Sequence, residues 1–196
     1  MGYDRWTRLA FQRDYAIGRI VNIGCGDEPV GFGDRATNVD IDEWRLPNFV
    51  RAEMHALPFS DKLFDTAVLG DVLEHCLDPD GAVAEAARVA RRLVVCIPEE
   101  LALPSVGTHV ALGLRQRADH YRNLYGLTGT DEEVIIKHKK GTSHFVGSPV
   151  AEADVPHDGH INRFDDAWIQ KLVDRSAMRV VFFEKNEGYW FFVLED

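Results

Sequence analysis

Short apolar runs recur along the first half of the chain and are separated by polar segments. The runs at 19–23, 64–70 and 92–98 are almost continuously apolar, and shorter runs occupy 37–41 and 48–53. Continuous apolar runs of this length are typical of parallel strands that are covered on both faces. The pattern therefore predicts five strands of a buried sheet.

Three segments carry helical signals. Apolar residues at helical spacing in 3–16 predict an amphipathic helix ahead of the first strand. Residues 78–92 are rich in alanine, with acids at the start and arginines at the end. That order of charges complements a helix dipole and predicts a helix over the whole segment. Residues 164–176 predict a third helix, with Asp165 or Asp166 near its start.

The last two apolar runs, 178–185 and 189–195, are joined by only a few residues. So short a link allows an antiparallel hairpin, because a parallel return needs a crossover of about a dozen residues or more. Strand and helix signals alternate before this point. We therefore expect an α/β fold with a Rossmann-like, doubly wound sheet of seven strands, mostly parallel with an antiparallel final strand.

Composition describes an ordinary globular protein of 196 residues with 45% hydrophobic and 28% charged residues. No apolar stretch approaches the roughly 20 residues of a membrane span, and the first residues are too polar for a signal peptide. Cys25, Cys76 and Cys96 lack the spacing of a disulfide framework. We expect a cytoplasmic protein with reduced cysteines and no membrane partner.

The net charge of -10 argues against a nucleic-acid partner, because such proteins usually show a basic face. Residues 99–160 have weak periodicity and contain six histidines. We expect this segment to be an insert that forms a lid over the active site. Its histidines lack the spacing of a structural zinc site, and the pair His157 and His160 is not enough, so we expect no metal.

Polar residues and glycines follow the predicted strands at the points where ligands bind in open α/β sheets. Gly24 and Gly26 follow the first strand, and Asp40 ends the second, where a carboxylate can accept hydrogen bonds from a ribose. A dinucleotide is disfavoured, because Pro29 replaces the third glycine of that fingerprint and the acids at 27 and 28 would repel a pyrophosphate. A ligand with a ribose and a positive charge fits better.

Four stretches, "VNIGCGDEP", "NVDID", "HALPFSDKLFD" and "DVLEH", follow one another in register. The chain thereby resembles the class I S-adenosylmethionine-dependent methyltransferases, especially the small-molecule group of methyltransferase type 11. The resemblance covers residues 19–98, and residues 159–181 resemble that group's last helix and strand. It implies a single methyltransferase domain over residues 1–196 and an enzyme that transfers a methyl group from S-adenosylmethionine to an O or N nucleophile of a small molecule.

The resemblance also implies cofactor-binding roles. Gly24 and Gly26 would line the methionine part, Asp40 would hold the ribose, and Glu53 would stand where the family usually has an aspartate near the adenine amino group. The predicted cofactor-binding residues are Gly24, Cys25, Gly26, Asp40, Ile41, Glu53, Met54, Gly70 and Asp71. Cys25 also reads as a small filler between the glycines. The family's helix between the glycine loop and Asp40 is shortened here, so we expect 29–36 to be mostly irregular.

The sequence identifies fewer candidates for catalysis and substrate binding than for cofactor binding. His144 and His160 are the candidate general bases, against the alternative that they hydrogen-bond within the lid. His75, Tyr121 and Tyr125 are the candidate substrate residues, although His75 equally suits a capping role in its turn. Other sulfonium chemistry such as cyclisation, or a non-catalytic module that binds the cofactor or a partner, are the alternatives to methyl transfer. The oligomeric state stays open, with a homodimer among the alternatives.

Overall fold

The computed structural model describes residues 5–27, 31–76, 78–98, 164, 166–186 and 188–196. The helices in these segments are α1 (Arg5–Tyr15), α2 (Pro79–Val89) and α3 (Asp166–Arg175), and the short 3-10 turns are Gly33–Arg35 and Leu73–His75. The strands are β1 (Ile20–Ile23), β2 (Ala36–Asp40), β3 (Phe49–Arg51), β4 (Phe64–Gly70), β5 (Ala90–Pro98), β6 (Arg179–Asn186) and β7 (Tyr189–Glu195).

All seven strands form one sheet in the order β3-β2-β1-β4-β5-β7-β6. Strands β1 to β5 pair in parallel, and β7 lies antiparallel between β5 and β6. The hairpin of β6 and β7 follows from their short link, as expected. The predicted seven-stranded sheet with an antiparallel end is therefore confirmed.

Helices cover both faces of the sheet, as a doubly wound fold requires. One face packs against α2 and α3, through Val89 of α2 and Trp168 of α3. The other face packs against the half-buried Phe11 of α1 and against Ala16, which directly follows that helix. The central strand β5 is buried from Leu93 to Pro98, which explains why its sequence is apolar without alternation.

The prediction of a helix over the whole of 78–92 was wrong at its end. Helix α2 stops at Val89, and β5 begins with the next residue, so Arg91 and Arg92 belong to the strand. Pairing within the sheet favours a strand at these residues, because Arg92 lies opposite Glu195 of β7 and forms an ion pair with it. Only Arg88 remains in the last helical turn.

The connection between β1 and β2 contains one short turn of helix among its described residues. After Gly31 the chain makes the 3-10 turn Gly33–Arg35 and enters β2 at once. Residues 28–30 lie outside the described segments. From Gly31 onward the prediction of a mostly irregular connection agrees with the structure, and Phe32 fills the space beneath α1 with a buried ring. Among the described residues no helix is long and apolar enough to cross a membrane.

Candidate functional site

The carboxyl ends of the parallel strands lie side by side at one edge of the sheet. Ile23 of β1 pairs with Val39 of β2 on one side and Leu69 of β4 on the other. The residues that follow each strand, predicted as cofactor ligands, therefore share this edge. Because β7 runs the opposite way, its first residue Tyr189 also lies here, opposite Pro98.

The glycine loop after β1 is tied to the end of β2 by its backbone. The amides of Gly24 and Cys25 both donate to the carbonyl of Val39, at 2.8 and 3.1 Å. Gly24 has a φ of +68°, and a Cβ added to it would lie 2.1 Å from a methyl of Val72. Conformation and space thus both require glycine at this position.

Gly26 differs from Gly24 in what surrounds it. Its φ is also positive, at +58°, but a Cβ added there would meet no atom of the described segments within 4 Å. Its amide donates to Oδ2 of Asp40 at 2.9 Å. The loop therefore turns an open backbone surface toward the edge of the sheet while staying fixed to β2.

Asp40 is half-buried at the end of β2. Its Oδ2 accepts from Gly26 and its Oδ1 accepts from the amide of Asp42 at 3.0 Å. A carboxylate offers about four acceptor positions, and the residues that the structure describes use two of those on Asp40. The following Ile41 is half-buried and its carbonyl accepts from Arg51 at 2.8 Å.

Between them the loop and Asp40 enclose Cys25. This thiol is buried, and its pKa is raised to about 12 by that burial first and by the negative charge of Asp40 second. A thiol with so high a pKa is a poor nucleophile at neutral pH. The reading of Cys25 as a small filler is the one that this environment favours.

Glu53 follows β3 and is held by His55 two residues later. Its Oε1 lies 2.5 Å from Nδ1 of the His55 ring, and its Oε2 accepts from the His55 amide at 2.7 Å. The other ring nitrogen, Nε2, lies 2.8 Å from the carbonyl of Asp78. Met54 lies between them in the sequence and packs partly against the core. His55 was not among the predicted site residues.

Gly70 ends β4 beneath α1, and Asp71 follows it. A Cβ added to Gly70 would lie 1.9 Å from the amide nitrogen of Gln12, so the helix approaches the strand end too closely for any side chain. Asp71 has a φ of +52°, a conformation that is costly for a residue with a side chain. Arg8 forms an ion pair with its Oδ2 at 2.5 Å, and the Tyr189 hydroxyl donates to the same oxygen at 3.2 Å.

Asp71 thus connects three parts of the fold. Burial, and then the charge of Asp71, raise the pKa of Tyr189 well above its usual value, so its hydroxyl keeps its proton as a donor. Neither Arg8 nor Tyr189 was predicted as a site residue. The sequence contains a signal for each of them. Arg8 and Gln12 are four residues apart and therefore share one face of the helix. Tyr189 begins a strand whose antiparallel direction brings it to this edge of the sheet.

His75 closes the short turn Leu73–His75 and is half-buried, while the neighbouring Glu74 is almost fully buried. The residue that caps α2 is Asp78, whose side chain accepts from the amide of Gly81. The N-cap of α2 is therefore Asp78, and the capping role of His75 within its own turn stays an alternative. The substrate role of His75 stays a prediction.

Four predicted residues, namely Tyr121, Tyr125, His144 and His160, lie outside the described residues, and so does His157. Within the described segments no group of three or more His, Cys, Asp or Glu side chains is arranged to hold a metal ion. A cleft of about 700 Å³ opens at the opposite edge, beside Gly18, Asp34 and Phe49, and none of the predicted site residues lines it.

A sheet in this order with an antiparallel β7 is the fold of solved S-adenosylmethionine-dependent methyltransferases. In this chain a glycine loop and acids lie at the carboxyl ends of β1 and β2, where ligands bind in such sheets. Residues 15–97, somewhat less than half of the chain, match the family model described as a methyltransferase domain. The family match and the fold together support an enzyme of this class, with S-adenosylmethionine as its cofactor.

Solved structures of such proteins share the fold at low sequence identity. A methyltransferase from Thermotoga maritima is 14% identical, with a TM-score of 0.59 over 97% of this chain and 88% of the other. A protein from Pyrococcus horikoshii is 15% identical, with a TM-score of 0.59 over 99% of this chain and 92% of the other. A methyltransferase from Mesorhizobium loti is 12% identical, with a TM-score of 0.57 over 100% of this chain and 99% of the other. No curated protein matches the sequence significantly.

Proposed function

We propose that the protein transfers the methyl group of S-adenosylmethionine to an O or N nucleophile of a small molecule. The observation that carries the proposal is the glycine loop, which is fixed to Asp40 while the Cβ position of Gly26 meets no atom of the described residues within 4 Å. Such a backbone accepts a ligand at van der Waals distance beside a carboxylate that still has acceptor positions.

The described residues fit the cofactor part by part. The two acceptor positions of Asp40 that no described residue uses suit the two ribose hydroxyls. Ile41 and Met54 offer apolar surface for the adenine, and Glu53 offers an acceptor for its amino group. Gly24, Cys25 and Gly26 would lie along the methionine part.

The amino-acid end of the cofactor carries both an ammonium and a carboxylate. Asp71 and Arg8 form an ion pair at the end of β4, so opposite charges already face each other there. We assign Asp71, with the carbonyl of Gly70, to the ammonium, and Arg8 to the carboxylate. Gln12 would hold α1 close to this end, since it already fills the space above Gly70.

The cofactor supplies an electrophilic methyl group on a positively charged sulfur. The protein's task is to align a nucleophile with the carbon–sulfur bond, because alignment supplies most of the rate of an in-line displacement. We propose that the insert 99–160 covers this end of the site within a single domain. His144 or His160 would accept the proton of the nucleophile, and His75, Tyr121 and Tyr125 would contact the substrate.

The choice of a small molecule as substrate is supported by charge. A net charge of -10 disfavours a long polyanion such as a nucleic acid. The described cysteines Cys25, Cys76 and Cys96 are all buried, and none forms a disulfide with another, which is compatible with a reducing compartment. We therefore propose a cytoplasmic enzyme, and we propose no membrane partner.

The test uses the full chain with methyl-labelled S-adenosylmethionine and a panel of small amines, alcohols and carboxylic acids. We expect the label to move to one chemical group of the panel, with one equivalent of S-adenosylhomocysteine formed for each methyl transferred. Binding without any labelled product would favour a non-catalytic module, and cofactor consumption without label transfer would favour cyclisation or related chemistry. No measurable binding of the cofactor or of S-adenosylhomocysteine would contradict the proposal.

A further inference from the structure

His55 occupies the connection between β3 and β4 and contacts two acceptors at once. Nδ1 faces the carboxylate of Glu53 at 2.5 Å, and Nε2 faces the backbone carbonyl of Asp78 at 2.8 Å. A carboxylate and a carbonyl only accept hydrogen bonds. Both ring nitrogens must therefore carry hydrogen for both bonds to exist, which makes the ring an imidazolium.

Both anchors of His55 are themselves fixed. Asp78 is the N-cap of α2, where its side chain accepts from the amide of Gly81 at 2.9 Å. A Cβ on Gly81 would lie 3.2 Å from Cδ2 of the His55 ring, so the ring rests against the first turn of the helix. The side chains of His55 and Glu53 are only 19% and 24% exposed. Glu53 is thus connected through His55 to a rigid helix terminus.

We propose that His55 is a positioning residue that holds the Glu53 carboxylate toward the adenine amino group of the cofactor. This inference rests on the proposed function, since it assigns a purpose to an arrangement at the same site. His55 touches no reacting atom and acts only through Glu53. Glu53 uses one acceptor position of each oxygen on His55 and keeps the others for a ligand.

The contact between His55 and Glu53 depends on pH, because it depends on the protonation of the ring. Burial of the ring, the largest influence, lowers the pKa of His55, but the hydrogen bonds to Glu53 and Asp78 and the charges of those residues outweigh it, so the pKa lies above its usual value. When the ring loses a proton it keeps one N–H, and one of the two bonds must break. Either the bond to Glu53 or the bond that anchors the ring to Asp78 is then lost. In both cases Glu53 is no longer connected through the ring to the start of α2, and its side chain regains rotational freedom.

Other ionisable groups pack around His55. The negative charges of Glu53 and Asp78 raise its pKa, and the pKa of the buried Cys76 ahead of α2 lies far above its usual value, through burial first and the nearby acids second. Glu85 of α2 binds the amide of Leu57 in the same connection, and its pKa is lowered mainly by Arg88. Variants of His55 itself are therefore needed to assign a change of affinity near neutral pH to this ring.

The probe for this inference is 5′-methylthioadenosine, which carries the adenine and ribose and has no ionisable amine. We expect its affinity to fall by on the order of tenfold as the pH rises through the pKa of His55. A factor of this size corresponds to the entropy cost of ordering one glutamate side chain on binding. By reciprocity, the His55 resonance of the folded protein should titrate about one pH unit higher when the probe is bound. Calorimetry and histidine NMR titrations measure the two effects.

Two variants separate positioning from simple structural support. His55→Asn places an amide N–H near the position of Nδ1 and does not titrate, so affinity should stay near the low-pH value of the wild type at every pH. His55→Leu removes the donor, so affinity should match the high-pH value at every pH. Urea unfolding of both variants measures how much of any change comes from stability.

The outcomes distinguish this inference from the proposed function. Failure of S-adenosylmethionine and methylthioadenosine to bind at any pH would overturn both. Normal binding with no pH step, a His55 that titrates at or below about 6.5, or equal affinity in the leucine and asparagine variants would overturn the role of His55 alone. A pH step that persists unchanged in His55→Asn would assign the effect to another group and also overturn it.

Discussion

Replacement of Gly24 by alanine tests whether the glycine loop is constrained as the structure shows. Gly24 has a φ of +68°, and the new Cβ would lie 2.1 Å from a methyl of Val72. Backbone strain of this kind costs about 1 kcal/mol. Forcing a methyl into a packed site adds about 1–3 kcal/mol. We therefore expect Gly24→Ala to lower the free energy of unfolding by about 3 kcal/mol, a large part of the stability of an average domain.

Gly26→Ala is the matched control. Its φ of +58° imposes the same strain, but its Cβ enters open space, so we expect a loss of about 1 kcal/mol. For cofactor affinity we expect the larger loss in Gly26→Ala and the smaller loss in Gly24→Ala. The methyl at position 26 would occupy the space that we assign to the cofactor, so Gly26→Ala should weaken binding far more than it weakens the fold.

Equilibrium unfolding in urea, followed by circular dichroism, measures these differences. The Val72→Ala substitution, which shortens the obstructing side chain, provides a second check. In the double variant of Gly24→Ala and Val72→Ala, the loss of unfolding free energy should be clearly smaller than the sum of the two single losses. Equal losses for Gly24→Ala and Gly26→Ala would refute the packing argument. So would a double variant whose loss is the plain sum of the two single losses.

Two further predictions address Asp40 and α2. Asp40→Ala removes two charge-assisted hydrogen bonds to the ribose and should weaken S-adenosylhomocysteine binding by about 3 kcal/mol in calorimetry, and unchanged affinity would exclude Asp40 as the ribose ligand. The hydrogen bond from Arg88 is the main cause that lowers the pKa of Glu85, so its stabilisation is present above the unfolded pKa and is lost as pH falls through the folded pKa. Glu85→Gln should therefore destabilise the protein by about 1–2 kcal/mol at pH 7 and match the wild type in acid, and a constant difference at all pH values would contradict the assigned cause.

Much of the fold was predictable because local patterns and global packing agree. The continuous apolar runs became the buried parallel strands, and β4 occupies the same residues, 64–70, as its predicted run. The error at the end of α2 has a clear cause. Arg91 and Arg92 suit a helix C-terminus by charge, but their partners Asp196 and Glu195 are about a hundred residues away and cannot be read from the local sequence.

The site was predictable where a residue immediately follows a strand. The structure brings Gly26, Asp40 and Asp71 to one edge because parallel strands end there. The site was not predictable where a residue reaches this edge of the sheet through the packing of a helix or loop. Arg8 depends on how α1 lies over β4, and His55 depends on the distance to the start of α2, and neither follows from local periodicity.

The contact between Tyr189 and Asp71 spans 118 positions of the chain. During translation the residues of β1 to β5 are synthesised well before residue 189. Until residue 189 is in place, Asp71, the acid that we assign to the ammonium group, lacks the hydrogen bond from Tyr189, and closure of so long a loop is a slow step. Full cofactor affinity should therefore arise only when the last strand has inserted beside β5, so that bound cofactor would mark chains that have completed folding.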